Sequence, residues 1–160
     1  MRTGIQRSPS RRKISQPFSY VILLLCNNVL VRLNRNEAFL SEGYYAYVGS
    51  ANIKRPYLRV LRHLLKNNKK LKWHIDYLTE VCEPISALLC SGVSENALYE
   101  ILIDLDYVIP SIKGFGCSDY KGVHETHLFK FSDDIKSLQE IMNRLTSILK
   151  ELCDEIEVLV

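Results

Sequence analysis

The chain has 160 residues, of which 47% are hydrophobic and 24% are charged, the size and composition of one soluble globular domain. Its longest apolar run, Val21 to Cys26, is too short to cross a bilayer, and no secretory signal precedes it. We therefore expect a cytoplasmic protein with no membrane partner. The net charge of +3 excludes little, because the charges are unevenly distributed along the chain.

The N-terminal residues 1–17 carry five cations and no acidic residue. They lack the apolar surface needed to fold, which predicts a disordered basic arm. A phosphate-gripping arm and an organelle presequence are two further interpretations of the same composition.

Strand-like runs fill much of the chain after this arm. Residues 19–34 are expected to form two strands joined by a tight turn at Asn27 and Asn28, and residues 43–49 a third strand. The run "PISALLCSG" predicts a fourth strand, and "HLFKF" predicts the last one.

Helices are expected between and after these strands. One begins at Pro56 and extends to about Asn67, and a second is capped by Ser94 and extends to about Leu105. Residues 132–160 form a long amphipathic helix, which packs on the domain or mediates homo-oligomerisation. Because strands and helices do not alternate regularly, the pattern indicates a compact single α+β domain rather than a doubly wound α/β fold.

The cysteines predict neither a disulfide framework nor a zinc site. They are odd in number, scattered, and without C-x-x-C spacing: Cys26, Cys82, Cys90, Cys117 and Cys153.

The first predicted helix is unusually basic. Between Lys54 and Lys72 there are eight cations and no acidic residue. On a helix, five of them fall in one file: Arg55, Arg59, Arg62, Lys66 and Lys69. The apolar residues Tyr57, Leu61, Leu64 and Leu65 are expected to face the core. Because solvated helix faces normally mix charges of both signs, the file, together with Lys70, predicts contacts with the phosphate backbone of a nucleic acid.

Glu95 is the second pointer to function. It lies three residues before Leu98, on the side of the helix that faces the core. A carboxylate at a helix start is favoured by the helix dipole alone, but one that leans inward can also hold a hard cation such as Mg²⁺.

These residues carry a resemblance to a known family. The strings "YAYVGSA" and "RVLRH", followed by a single later Glu, resemble the second half of the signature of the GIY-YIG nuclease superfamily. Further strings, among them "KKLKWHIDYL" and "GFGCSD", are similar to a small, mainly archaeal branch of it. The resemblance covers about residues 19–131 and implies that residues 18–131 are a nuclease domain with a central three-stranded antiparallel sheet flanked by helices.

The resemblance also implies an activity, the metal-dependent cleavage of DNA. Tyr47 takes the place of the signature tyrosine, Arg59 and His63 those of the helix arginine and histidine, and Glu95 that of the metal ligand. The sequence departs from the pattern at the first element, where "FSY" replaces Gly-Ile-Tyr, so Tyr20 is assigned the first tyrosine's role. The implied cofactor is a divalent cation, Mg²⁺ or Mn²⁺.

Each residue type suits this chemistry. A cation held by Glu95 acts as a Lewis acid, and Arg59 offers a permanently charged fork to the phosphate oxygens. Tyr47 can hold the attacking water or take its proton, but as a base the tyrosine needs a nearby cation to lower its pKa. His63 can instead be the base or only bind phosphate. The alternative to a nuclease is a non-catalytic nucleic-acid-binding module on the same scaffold.

Overall fold

The computed structural model of the chain describes residues 16–33, 35–65, 70–117, 120 and 122–159. These residues form strands β1 (Phe18–Cys26), β2 (Val29–Leu33), β3 (Asn36–Leu40), β4 (Gly43–Ser50), β5 (Glu83–Ser91), β6 (Val108–Pro110), β7 (Leu128–Phe131) and β8 (Glu155–Leu159). The helices are α1 (Pro56–Leu64), α2 (His74–Val81), α3 (Glu95–Ile103) and α4 (Leu138–Leu149).

A six-stranded sheet with the order β6-β7-β4-β1-β5-β8 forms the centre of the fold. Every neighbouring pair is antiparallel, and β1 lies between β4 and β5. The expectation of an α+β domain is confirmed. The expected sheet of three strands is too small, because three further strands extend the trio β4-β1-β5 at its two edges.

Helices cover both faces of this sheet. Alternate residues of β1 enter two separate cores, with Ile22 on the side of α1 and α2 and Leu23 on the side of α3 and α4. Because successive side chains of a strand point to opposite faces, a strand between two helical layers must be apolar at nearly every position. This requirement explains the unbroken run from Val21 to Leu24, which is fully buried.

Several elements differ from the predicted ones. The two strands expected to form a hairpin at Asn27 and Asn28 exist, but β2 pairs with β3 in a separate two-stranded sheet and not with β1. The strands β3, β6 and β8 and the helix α2 were not predicted. The arm at residues 1–15, including the predicted disorder, lies outside the described residues.

The C-terminal segment is not one long helix. Helix α4 begins at Leu138, where the Ser137 hydroxyl accepts the backbone N–H of Glu140, and it ends at Leu149. The chain then adds β8 to the edge of the sheet beside β5. No helix in the described part of the chain is long and apolar enough to span a membrane.

The cysteines correct another expectation, because four of them form two disulfides. Cys26 pairs with Cys82, and Cys90 with Cys153, with Cα–Cα distances of 4.6 and 5.6 Å. The partners are 56 and 63 residues apart in sequence, so a search for local spacing could not find them. Cys117 is a buried free thiol.

We expect these disulfides to stabilise the fold measurably. Closing a loop of 56 residues restricts the unfolded chain, and a bridge of this span contributes about 2–4 kcal/mol. The double variant with Cys26→Ser and Cys82→Ser should therefore have a lower free energy of unfolding, as measured by urea denaturation. In the unfolded, non-reduced parent protein, a thiol reagent should detect one free thiol, that of Cys117. Five reactive thiols would show that the two bridges do not form.

Candidate active site

The five residues predicted to act in catalysis line one cavity. Its volume is about 330 Å³, and its walls come from β1, β4, the helices α1 and α2 and the start of α3. The predicted site residues on these walls are Tyr20, Tyr47, Arg59, His63 and Glu95. Residues separated by up to 75 positions in the sequence thus meet at a single opening.

Two glycines make room for the two tyrosines. Tyr20 faces Gly49 across the β1–β4 ladder, and a Cβ atom at Gly49 would overlap the hydroxyl end of the Tyr20 ring. A Cβ at Gly116 would lie 2.6 Å from the Tyr47 ring, and Gly116 has a φ of +69°, which favours glycine. The tyrosine rings themselves lie 6.3 Å apart between their centroids.

The environment of Tyr47 opposes its ionisation. Burial is the main cause that raises the pKa of the Tyr47 phenol, the Glu95 carboxylate raises it further, and Arg59 only partly offsets them. The pKa of Tyr20 is also raised well above its ordinary value, chiefly by burial and then by Tyr47. The lowered pKa that base action by Tyr47 would require is therefore not present in the free protein, in which both hydroxyls are neutral.

Three cations surround Trp73 at the mouth of the cavity. The guanidinium carbons of Arg59 and Arg62 lie 5.3 and 4.8 Å from the centre of the indole ring, and the Lys72 ammonium lies 4.9 Å from it. Arg59 is held from the other side as well, since its Nη1 donates to the Ser50 carbonyl at 3.1 Å. The indole ring thus positions three positive charges at this end of the cavity, and we call Arg59, Arg62 and Lys72 the positive rim.

The buried carboxylate of Asp76 holds part of this rim in place. The Asp76 oxygens accept hydrogen bonds from Arg62 Nη1 at 2.7 Å and from the backbone N–H groups of Lys72 and Trp73 at 2.8 Å. His63 Nδ1 lies 3.8 Å from the same carboxylate. Burial alone would raise the pKa of Asp76, but the hydrogen bonds from Arg62 and the two backbone N–H groups outweigh it and hold the pKa below its ordinary value.

The orientation of α1 reverses part of the sequence prediction. Tyr57, Leu61 and Leu65 were expected to face the core, but they are 41%, 38% and 61% exposed. Val60 and His63 are the buried residues of this helix. Arg59 and Arg62 lie on the partly buried side of the helix, where Trp73 and Asp76 contact them.

The residues predicted to bind nucleic acid do not form one exposed file. Arg55 and Lys70 are exposed, whereas Arg62 is half-buried in its ion pair with Asp76. Helix α1 ends at Leu64, so the file cannot continue along it. Lys66 and Lys69 lie outside the described residues.

Glu95 is the acidic group of the cavity. It is the first residue of α3, whose cap is the Ser94 hydroxyl, and its side chain is only 16% exposed. The described residues contain no cluster of three or more His, Cys, Asp and Glu side chains arranged to enclose a metal. A single carboxylate beside an open cavity fits Mg²⁺, which keeps several waters and shares its coordination with substrate phosphates.

A chain of buried polar groups stands behind Glu95. Its Oε2 lies 3.2 Å from Nδ1 of His127, and Nε2 of His127 lies 2.7 Å from Nδ1 of His124. His124 continues to the Asn96 amide at 2.7 Å, and its ring is stacked between Tyr99 and Tyr120. Nδ1 of His127 is buried without a hydrogen-bond partner among the described residues, so its contact with the Glu95 carboxylate is a close approach and not an aligned hydrogen bond.

Sequence reasoning missed several residues of the site. Trp73 and Asp76 were given no role and His74 only a structural one in a turn, although all three support or line the cavity. His127, the first residue of the predicted strand "HLFKF", was not assigned to the site, and it is fully buried beside Glu95. The H-x-x-H spacing of His124 and His127 was the one local signal that could have pointed to them.

The fold and the cavity define an α+β protein with a basic, tyrosine-lined pocket and one carboxylate. The chain matches the family described as "Domain of unknown function DUF123" over residues 19–150, and it belongs to that family. Comparison with curated proteins found no match. Comparison with solved structures found none either.

The buried Asp76 leads to a pH-dependent prediction. Asp76→Asn removes the charge that pairs with Arg62, and breaking a buried pair costs about 3 kcal/mol. Because the folded-state pKa of Asp76 is lowered, this stabilisation is fully present above the ordinary value of 3.8 and is lost as the pH falls through the folded-state value. Urea denaturation should show a large difference between variant and parent at pH 7 that shrinks below pH ~4.

Asp133→Asn is the matched control. Asp133 pairs with Lys130 at an exposed position, so its replacement should barely change the stability at either pH. An Asp76→Asn variant as stable as the parent at pH 7 would show that this carboxylate does not organise the site.

Proposed function

We propose that this protein is a metal-dependent endonuclease of the GIY-YIG type that hydrolyses DNA phosphodiester bonds. The observation that carries the proposal is the convergence of Tyr20, Tyr47, Arg59, His63 and Glu95 on one cavity. The five residues were selected from sequence strings alone, and a chance selection would scatter over a chain of 160 residues.

Arg59 binds the scissile phosphate in this mechanism. Its Nη1 is held by the Ser50 carbonyl, which leaves the other guanidinium N–H groups to face the cavity. A guanidinium that is already oriented gains most when charge accumulates on the phosphoryl oxygens in the transition state. Lys72 adds a second positive charge at the same rim.

Tyr47 positions the attacking water, and His63 takes its proton. A neutral phenol can donate to or accept from a water, but it is a poor base, and burial and Glu95 keep Tyr47 neutral. His63 lines the cavity beside Tyr20, with a ring-centroid distance of 5.5 Å, and the Asp76 carboxylate lies behind its Nδ1. The water oxygen attacks phosphorus, its proton passes to His63, and the bond to the leaving oxygen breaks.

Glu95 is the residue that would hold the divalent cation. A bound Mg²⁺ or Mn²⁺ supplies Lewis-acid activation of the phosphate and stabilises the leaving alkoxide. His127 lies 3.2 Å behind the carboxylate and limits its movement by contact, in the place where metal ligands in general have a supporting residue.

The second candidate function is a nucleic-acid-binding module without catalysis. The positive rim around Trp73 favours it as much as it favours a nuclease, because phosphate binding needs only these cations. The two candidates differ at Glu95, which repels a phosphate. The nuclease uses it to hold a cation, whereas in the binding module it has only the favourable interaction with the helix dipole at the start of α3.

Glu95→Gln tests the nuclease directly. The change preserves the shape of the side chain but removes its charge, so cleavage in the presence of Mg²⁺ or Mn²⁺ should fall by at least ~10²-fold. Affinity for DNA without divalent cations should be unchanged or slightly higher, because a negative charge has been removed from the phosphate site. The measurements are initial cleavage rates on linear, nicked, flapped and branched DNAs and fluorescence anisotropy in EDTA.

Glu100→Gln is the control on the same helix, since Glu100 is exposed and does not line the cavity. It should cleave at the parental rate. If the parent protein binds DNA but cleaves none of these substrates, the nuclease proposal is wrong and the binding module takes its place. Parental cleavage by Glu95→Gln would refute the metal assignment.

Tyr47→Phe tests the role of the hydroxyl. It removes one oxygen and keeps the packing of the ring against Phe115, so stability should hardly change while cleavage falls by about 10²-fold. Tyr45→Phe is the control, because Tyr45 points to the same side of the sheet but donates its hydroxyl to the Ser41 carbonyl at 2.7 Å. That variant should lose about 1 kcal/mol of stability and no activity. Normal cleavage by Tyr47→Phe would make the hydroxyl structural.

A further inference from the structure

His74 is a residue of the cavity that the assigned roles leave out. It is the first residue of α2 and lines the cavity together with Tyr47 and Arg59. Its Nδ1 accepts a hydrogen bond from the backbone N–H of Gly116 at 2.8 Å. This bond joins the start of α2 to the glycine that packs on Tyr47.

The bond to Gly116 determines where the proton of the imidazole lies. A backbone N–H can only donate, so Nδ1 of His74 must present its lone pair, and the neutral ring carries its proton on Nε2. Nε2 has no hydrogen-bond partner among the described residues, and it is not one of their fully buried polar atoms. An N–H donor without a protein partner therefore lies at the cavity.

The ring is held in this orientation by its neighbours. Its centroid lies 5.2 Å from that of Phe115, which in turn packs edge-on against Tyr47 at 5.8 Å. Burial lowers the pKa of His74, which favours the neutral form at pH 7. A neutral imidazole that gave up its Nε2 proton would become an imidazolate, so the group can donate a hydrogen bond but cannot act as a proton donor at this pH.

We propose that His74 donates its Nε2–H to a non-bridging oxygen of the scissile phosphate. The proposal rests on the proposed function and adds a substrate-binding residue to that site. It assigns His74 a role different from that of His63, which accepts a proton. A fixed neutral donor suits an oxygen whose negative charge grows during the reaction, because the donor is already oriented when the charge develops.

Two substitutions separate this role from a structural one. In His74→Asn, the amide oxygen can replace Nδ1 as the acceptor for Gly116, but the donor at the position of Nε2 is lost. In His74→Gln, the amide N–H can reach the position of Nε2, but the acceptor for Gly116 is lost. The two variants thus exchange which half of the imidazole they retain.

We expect His74→Asn to keep the melting temperature of the parent and to lose about 10²-fold in cleavage rate. His74→Gln should melt at a lower temperature and retain activity within about 10-fold of the parent. The reverse order of activities, or parental activity in both variants, would overturn the proposal and leave His74 as a support for the turn at Gly116.

A second measurement does not depend on cleavage. Long-range ¹H–¹⁵N spectra of protein labelled with ¹⁵N-histidine report the tautomer, and His74→Asn identifies the signal of His74. We expect a protonated Nε2 whose resonance shifts when a short duplex DNA is added in EDTA. A proton on Nδ1, or a signal that does not move on addition of DNA, would overturn the proposal.

The two proposals can therefore fail separately. If the parent cleaves no DNA, the nuclease fails, and the NMR titration alone decides whether His74 contacts the phosphate. If both His74 variants are inactive, the same titration decides. If the parent cleaves DNA and the His74 signal is unaffected by it, the nuclease stands and the role of His74 is refuted.

Discussion

The buried carboxylate of Asp76 is the interaction on which the cavity depends. It accepts two hydrogen bonds from Arg62 on α1 and two from backbone N–H groups at the start of α2, so it ties the two helices together at the mouth of the cavity. A buried charge is costly unless its hydrogen bonds are satisfied, and these donors supply that compensation. Because Arg62 and Trp73 are held in this way, Arg59 and Lys72 can pack against the same indole ring. The ring carries no charge, so both cations keep their positive charge at the cavity. The buried Asp76 carboxylate thus positions the cations that make this side of the cavity positive.

The second constraint is the absence of side chains at Gly49 and Gly116. Tyr20 and Tyr47 are large, and each needs a neighbour without a Cβ to bring its ring into the cavity. Gly49 follows Tyr47 by two residues on β4, and its partner across the ladder is Tyr20. The short string "YVG" therefore contains one site residue and the space for another. Gly116 makes room for the Tyr47 ring in the same way, but it lies in a loop that only the tertiary structure brings close to Tyr47.

The residues that meet at the cavity could be predicted from the sequence more readily than the contacts that support them. Tyr20, Tyr47, Arg59, His63 and Glu95 could be selected because their types and order resemble a signature, and the α+β class followed from the order of strands and helices. The face of α1 that is exposed could not be predicted, because periodicity shows which residues share a face but not which face meets the core. The shorter α4 and the strand β8 were missed for a related reason. The residues after Leu149 continue an apolar pattern, and only pairing with β5 makes some of them a strand. The disulfide partners are separated by more than fifty residues, so no local pattern could indicate them.

The groups that face the cavity are mostly neutral hydrogen-bonding groups, with a few charges placed opposite one another. Burial keeps Tyr47 and His74 neutral, Arg59 and Lys72 provide positive charge, and Glu95 provides the negative charge among the described residues that line the cavity. Phosphate alone would meet attraction from the cations and repulsion from Glu95, while a divalent cation alone would meet the reverse. If the cavity acts as proposed, each of the two ligands reduces the repulsion that the other experiences, so phosphate and cation bind more strongly together than separately. This coupling gives Glu95 a purpose in a site otherwise built for anions, and it confines the strongest binding to the complex that contains both the substrate and the metal.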